Sequence, residues 1–125
     1  MIVGSLSENK NQEKRVALTP DIIKKYLSLG FEVHLIKDYA THLGISDELY
    51  KVEGAKIYQS EDEVLSNSNI ITQVCILNDD KLNKLKKNQI LIGVLNPYLN
   101  EEKLKDITSN GVNCFSLELL PRITR

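Results

Sequence analysis

The sequence has no tryptophan, and it contains only two cysteines and two histidines. Cys75 and Cys114 fall in predicted strands, so we expect buried, reduced thiols rather than a disulfide or a metal site. His34 and His42 have no obvious acid–base partner and are expected to be structural or solvated. With so few Cys and His residues, Cys/His metal chemistry is not expected, and no metal site is predicted.

Long apolar runs and an excess of one charge are also missing. No segment approaches the roughly 20 apolar residues that span a bilayer, and the N-terminus lacks a signal-peptide pattern, so a soluble, cytosolic protein is expected. The formal net charge is −1, with 16 basic and 17 acidic residues, which gives no basic surface for nucleic acid.

Two nucleotide-binding motifs are absent from the sequence. No strand is followed by Gly-x-Gly-x-x-Gly, and there is no Gly-x-x-x-x-Gly-Lys-Ser/Thr loop. The chain therefore does not carry its own dinucleotide pyrophosphate site. The acidic positions of a phosphoacceptor receiver domain are missing too, because the first strand ends in Gly4-Ser5-Leu6 and the third is followed by Gln59-Ser60.

Short apolar runs alternate with helix-start and helix-stop signals along the whole chain. Thr19 and Pro20 predict a helix start, which Gly30 is expected to end. Ser60 with Glu63 predicts a capping box at the start of a later helix. The six predicted strands are 1–6, 31–36, 55–58, 69–77, 89–95 and 112–117.

This alternation predicts one α/β domain over residues 1–125, a doubly wound, flavodoxin-like parallel sheet with helices on both faces in three layers. The fourth and fifth strands lack a polar face and are expected to be the most central. The sixth strand is expected to run on until Pro121, which cannot donate to a sheet ladder. The sequence does not decide the strand order.

Polar and cationic side chains follow several predicted strands at their carboxyl ends, where ligands bind in open α/β sheets. Arg15 follows the first strand, Gln73 lies in the fourth, Asn96 is at the tip of the fifth, and Arg122 and Arg125 follow the sixth. We expect these residues to converge on one edge as a polar, cationic rim. The alternative is that each is an exposed or capping side chain, with Arg15 in a structural ion pair.

Four segments occur in a recognisable order: Glu13 to Pro20, Leu29 to Val33, Ile45 to Asp47, and Glu53 to Ile57. Together they resemble the N-terminal domain shared by alanine dehydrogenase and the alpha subunit of the proton-translocating NAD(P) transhydrogenase. The resemblance covers essentially the whole chain.

The resemblance implies different roles in its two branches. In alanine dehydrogenases the arginine of the first segment and a lysine in the fourth strand hold the substrate carboxylate, and a histidine at the tip of the fifth strand is the acid–base. This chain keeps Arg15 but has Gln73 and Asn96 at the other two positions. It therefore lacks the cation and the proton carrier that reductive amination of a keto acid would need. Gln73 also departs from the transhydrogenases, where the lysine is common too.

The last nine residues, from Leu117 to Arg125, resemble the segment by which transhydrogenase alpha subunits enter their NAD-binding domain. The arginine after the proline, here Arg122, reaches the nicotinamide end of NAD(H) in that family. A guanidinium can donate two parallel bonds to a carboxamide oxygen or a carboxylate, so this role is physically sensible.

The transhydrogenase branch implies hydride transfer between NAD(H) and NADP(H), coupled to proton movement through a membrane domain. This domain would form one wall of the NAD cleft, and no residue in it would be a catalytic acid or base. The Rossmann domain that binds most of the NAD is expected to follow and is absent from these residues. NADP would sit on a partner subunit. The isolated chain is therefore expected to be inactive and to bind NAD weakly or undetectably.

The implied partners are the NAD-binding domain, the beta or NADP-binding component and the membrane domain, with a homodimer when the protein is intact. The domain would then be cytoplasmic and peripheral to the membrane. Two alternatives stay open: the N-terminal domain of a divergent alanine dehydrogenase or saccharopine-dehydrogenase-like enzyme, and a non-catalytic α/β binding module.

Overall fold

A computed structural model describes residues 1–119, so the predictions for Pro121, Arg122 and Arg125 lie outside the described residues. Among residues 1–119, none of the helices has the length and apolar character of a transmembrane span. The strands are β1 (Ile2–Ser5), β2 (Glu32–Ile36), β3 (Lys56–Tyr58), β4 (Ile70–Cys75), β5 (Ile90–Val94) and β6 (Asn113–Ser116). The helices are α1 (Pro20–Ser28), α2 (Asp47–Val52), α3 (Glu61–Asn67), α4 (Asp79–Leu82) and α5 (Glu101–Ser109), with 3₁₀ turns at Thr41–Leu43 and Leu117–Leu119.

The six strands form one parallel sheet in the order β3-β2-β1-β4-β5-β6. The predicted doubly wound α/β fold is confirmed, and the order that the sequence leaves open is that of the dinucleotide-binding folds. The two central strands are β1 and β4. The central position of β4 was expected, whereas β5 lies between β4 and the edge strand β6 and is not one of the central pair. The direction of winding reverses between β1 and β4.

Helices lie on both faces of the sheet. α1 packs against β2 and α2 against β3, and the two helices contact each other. On the other face α3 packs against β1, β2 and β3. Ion pairs then link α3 to α4, through Glu61 and Lys81 at 2.9 Å, and α4 to α5, through Asp79 and Lys103 at 3.1 Å. Right-handed crossovers explain why the helices divide between the faces at the point where winding reverses.

The predicted helix starts are present, but the side chains contribute less than expected. α1 begins at Pro20 with Thr19 as its N-cap residue, yet the Thr19 hydroxyl makes no capping hydrogen bond. The predicted capping box of α3 is not formed either, because the Ser60 hydroxyl accepts no bond from the first turn. Its first turn carries Glu61, Asp62 and Glu63, and these negative charges favour the positive end of the helix dipole.

The sixth strand is shorter than predicted. β6 ends at Ser116, and the chain then turns through Leu117–Leu119 instead of extending to Pro121. The Glu118 carboxylate accounts for the turn, since it accepts hydrogen bonds from the Asn96 backbone N–H at 3.0 Å and from the Ser116 hydroxyl. This ties the end of β6 to the tip of β5.

Candidate functional site

A cleft of about 420 Å³ opens at the carboxyl ends of β1 and β4. These two strands are neighbours, but their following connections run in opposite directions, which leaves a crevice at the switch point of the sheet. One wall comes from the loop after β1 and the end of β4, and the other from α4 and α5. Its charged and sulfur-bearing lining residues are Glu8, Glu13, Cys75, Lys81 and Lys103.

Glu8 fixes the end of β4. Its carboxylate accepts hydrogen bonds from the Val74 and Cys75 backbone N–H groups at 2.8 and 3.0 Å, and from Gln73 Nε2 at 2.9 Å. β1 pairs with β4 only as far as Gly4 and Ile71. Beyond that point β1 offers no acceptors to the backbone N–H groups of β4, and the Glu8 carboxylate accepts from them instead. Burial raises the pKa of Glu8, and the bonds from Cys75 and Val74 oppose that rise.

The same region of β4 contains a bulge. Its register against β5 shifts between Thr72 and Cys75, so β4 has one more residue than β5 over this stretch. Gly93 of β5 lies so close that a side chain there would collide with the Gln73 backbone oxygen. The bulge turns the N–H groups of Val74 and Cys75 toward Glu8 instead of toward a strand.

Sequence reasoning misses Glu8. It lies in a polar loop with no periodicity, and its partners are 65 to 67 residues away along the chain. The signal that could have found it is a carboxylate just after the first strand of a parallel sheet, at the edge where ligands bind.

Gln73 lies in the cleft wall, but its side chain is fully engaged. Oε1 accepts a bond from the Leu6 N–H at 2.7 Å, and it lies 3.2 Å from the Ser5 hydroxyl, whose proton it shares with the closer Thr72 carbonyl at 2.6 Å. Nε2 donates to the Leu6 carbonyl at 3.0 Å and to Glu8 at 2.9 Å. Only 2% of Gln73 is exposed. It holds β4 to the end of β1 and leaves no free hydrogen-bonding position for a ligand.

Arg15 reaches the cleft only through Glu13. Its guanidinium donates from Nε and Nη2 to the two Glu13 carboxylate oxygens at 2.8 and 2.9 Å, while 76% of its side chain remains exposed. These bonds lower the pKa of Glu13 to about 2. Cys75 Sγ lies 3.9 Å from Glu13, and burial followed by the nearby carboxylates raises the pKa of the thiol. Arg15 is thus found in an ion pair with Glu13, which is the alternative that the sequence analysis left open for it.

Buried tyrosines hold the far end of the loop that carries Arg15. The Tyr39 hydroxyl accepts a bond from the Leu18 N–H at 3.2 Å, and the Tyr50 hydroxyl donates to the Leu18 carbonyl at 2.8 Å. Burial raises the pKa of Tyr39 to about 12, so its phenol stays protonated. His42 Nε2 lies 2.8 Å from the Lys14 carbonyl. These contacts tie the end of the loop to buried residues of the core.

Asn96 does not line the cleft. It lies exposed at the tip of β5 with φ of 50°, a left-handed conformation that asparagine tolerates well. Its carbonyl accepts bonds from the Leu99 and Asn100 N–H groups, both at 3.1 Å. Asn96 is therefore a turn-forming residue on the same edge of the sheet. The predicted contributions of Arg122 and Arg125 lie outside the described residues.

The cleft can position a ligand, but it shows no proton-transfer group ready for use. Among residues 1–119, Glu8 and Glu13 are held by hydrogen bonds, and Lys81 and Lys103 are paired with Glu61 and Asp79. No group of three or more His, Cys, Asp or Glu residues in that stretch of the chain could hold a metal ion. Its chemistry is that of a shaped wall with carboxylates on one side and lysines on the other.

Residues 4–125 match the family model described as alanine dehydrogenase/PNT, N-terminal domain. The first part of the NAD(P) transhydrogenase subunit alpha of Rickettsia prowazekii is 33% identical over 129 residues, which is 100% of this chain and 34% of the relative. Alanine dehydrogenase 1 of Staphylococcus aureus is 30% identical over 120 residues, covering 96% of this chain and 32% of the relative.

The crystal structure of transhydrogenase from Sinorhizobium meliloti superposes with a TM-score of 0.91 at 29% identity, covering 100% of this chain and 37% of that one. This chain therefore spans about a third of the length of the relatives it matches. The sequence match over residues 4–125 and the shared fold agree with the resemblance carried by the four sequence segments. The chain belongs to the alanine dehydrogenase/PNT N-terminal domain family.

Proposed function

We propose that this domain forms one wall of the NAD(H) cleft in the alpha subunit of a proton-translocating NAD(P) transhydrogenase. The nicotinamide end of the cofactor would lie at the mouth of the β1–β4 crevice, and the Rossmann domain that holds most of the cofactor would face this domain across it. NADP would be bound by a partner component. The loop after β1 has no glycine-rich turn for a pyrophosphate, which fits a wall that meets only the nicotinamide end.

The observation that carries the proposal is the bonding of Gln73. At the position where alanine dehydrogenases have a lysine for the substrate carboxylate, this chain has a neutral side chain with every hydrogen-bonding position used. Arg15 is already clamped by Glu13. A small carboxylic acid entering here would face Glu8 and Glu13 without a free cation from this wall, and like charges repel.

A nicotinamide ring suits the same wall better. The ring is neutral when reduced and cationic when oxidised, so neighbouring carboxylates do not repel it. NAD(H) supplies the hydride, and the protein's task is to orient the ring and keep water away from it. In this domain that task falls to the loop after β1, the bulged end of β4 and Arg122.

The alanine dehydrogenase alternative keeps one supporting observation, since a 30% identical relative carries that name and Arg15 is retained. An acceptor assay separates the two. The protein continued through its own reading frame, combined with an NADP-binding component, should pass hydride from NADH to an oxidised NADP analogue. With pyruvate and ammonia it should form no alanine. Alanine formation without transfer to the NADP analogue would establish the alternative.

A further inference from the structure

The end of β4 lies in the crevice, but neither neighbouring strand holds it in a regular ladder. β1 pairs with β4 no further than Gly4 and Ile71. On the other side, the register against β5 shifts between Thr72 and Cys75. The residues that follow this shift, 75–77, line the crevice. The surface that β4 presents to a ligand is therefore not fixed by strand pairing alone.

Side chains take the place of the missing strand pairing. The Gln73 amide accepts a hydrogen bond from the Leu6 N–H at 2.7 Å and donates one to the Leu6 carbonyl at 3.0 Å, as a paired strand would. The Glu8 carboxylate then accepts from the N–H groups of Val74 at 2.8 Å and Cys75 at 3.0 Å. Because two successive N–H groups bind one carboxylate, the orientation of both peptide planes depends on Glu8.

The same loop contacts the end of β4 a second time. The Asn9 carbonyl accepts bonds from the Gln12 and Glu13 N–H groups at 2.9 and 2.8 Å, so the chain turns back just after Glu8. This turn brings Glu13 Oε1 to 3.9 Å from Cys75 Sγ. Glu8 is only 7% exposed, and hydrogen bonds to a carboxylate are stronger where water is excluded. Glu8 is therefore the main link between the loop and the end of β4.

We propose that Glu8 is a positioning residue for hydride transfer. By holding the peptide groups of Val74 and Cys75, it fixes the surface at residues 75–77 against which the nicotinamide ring lies. The inference rests on the proposed function for the identity of this ligand. Bulges occur beside active sites, where they re-aim side chains, and a strand end held by a carboxylate is a bulge of this kind.

The expected consequence is a loss of rate without a loss of affinity. Hydride transfer needs the reacting atoms within about 3–3.5 Å and in alignment, so a small displacement of the ring slows the reaction strongly. The affinity for the cofactor comes mostly from the Rossmann domain in the proposed arrangement. Loosening the end of β4 should therefore disturb the alignment of the ring more than the binding of the dinucleotide.

A purely structural role for Glu8 makes a different prediction. If a substitution only unfolds part of the population, the amplitude of a single turnover falls, because less enzyme is active. The rate constant of the remaining enzyme does not change. A positioning role lowers the rate constant itself, and stopped-flow measurement of a single turnover separates the two quantities.

Glu8→Gln is the test variant, because it keeps the shape of the side chain but turns an amide NH₂ toward a backbone N–H. In the continued protein with an NADP-binding component, its single-turnover rate constant should fall roughly tenfold. Its NADH affinity, measured by titration calorimetry, should stay within about twofold of the unsubstituted value. Glu48→Gln makes the same chemical change at a carboxylate that is 79% exposed, and it should alter neither quantity.

A rate constant for Glu8→Gln equal to that for Glu48→Gln would overturn the inference while leaving the proposed function in place. If the unsubstituted protein transfers no hydride at all, the proposed function fails, and this inference fails with it. The two failures are therefore distinguishable in one set of measurements.

The native cysteines test the link to β4 without any reaction. Cys75 and Cys114 are both free and partly buried, and peptide mass spectrometry follows the alkylation of each in the 125-residue chain. Glu8→Gln should speed alkylation of Cys75 at least about threefold through local opening, while Cys114 on β6 should keep its rate. No change at Cys75, or an equal rise at both cysteines, would show that Glu8 does not hold the end of β4 specifically and would overturn the inference.

Discussion

Replacement of Glu8 by alanine is expected to lower the free energy of unfolding by about 3 kcal/mol. The Glu8 carboxylate accepts three hydrogen bonds, two of them from the backbone of the bulged end of β4. Removing it leaves the Val74 and Cys75 N–H groups and the Gln73 amide without their acceptor in a site where Glu8 is 7% exposed. Urea unfolding of the 125-residue chain measures the loss.

Two control variants show whether the acceptor oxygens are responsible. Glu8→Gln keeps one acceptor oxygen and the same shape. It should therefore lower the free energy of unfolding, but by less than Glu8→Ala does. Glu48→Ala removes a carboxylate that is 79% exposed and paired with Lys51, and it should change stability by at most about 0.5 kcal/mol. If Glu8→Ala costs no more than Glu48→Ala, then Glu8 does not hold the end of β4.

Replacement of Arg122 by alanine should slow hydride transfer between NADH and an NADP analogue by roughly 10- to 100-fold in the assembled enzyme. A hydrogen bond from a charged donor is worth about 1.5–3 kcal/mol, and about 1.4 kcal/mol corresponds to a factor of ten. The reason is the proposed role of the guanidinium in orienting the nicotinamide end of the cofactor. Stopped-flow measurement of a single turnover gives the rate.

Arg122→Lys should recover only a fraction of this rate, because an ammonium cannot present the planar pair of donors. Lys51→Ala, which removes an exposed cation on α2, should leave the rate unchanged. A rate for Arg122→Ala equal to that of Lys51→Ala would remove Arg122 from the cofactor site.

The local structure can be predicted from the sequence because its signals are local. Pro20 after Thr19 marks a helix start, and apolar runs between glycine and asparagine turns mark strands. The six strands of residues 1–119 all fall within the ranges predicted from these signals. The strand order cannot be predicted, because it depends on which strands pair across the sheet. The bulge in β4 and the turn at Glu118 escape prediction, since both depend on contacts with another strand or its loop.

The candidate site shows the same division. A polar residue in an apolar central strand is conspicuous, and Gln73 lies in the cleft wall. Its bonding cannot be foreseen, because Leu6 and Glu8 lie more than 60 residues away. Arg15 is expected on the rim, but Glu13, two residues earlier, holds its guanidinium. Arg15 therefore pairs with its near neighbour Glu13 and does not point freely into the cleft. This pairing depends on the conformation of the loop, which the sequence alone does not give.

Titration calorimetry with NADH tests most directly the claim that this domain is one wall of a cofactor cleft closed by another domain. The 125-residue chain should give no measurable binding heat, and the protein continued through its own reading frame should bind NADH saturably. Micromolar affinity of the 125-residue chain alone would contradict the account, since one wall would then hold the cofactor by itself.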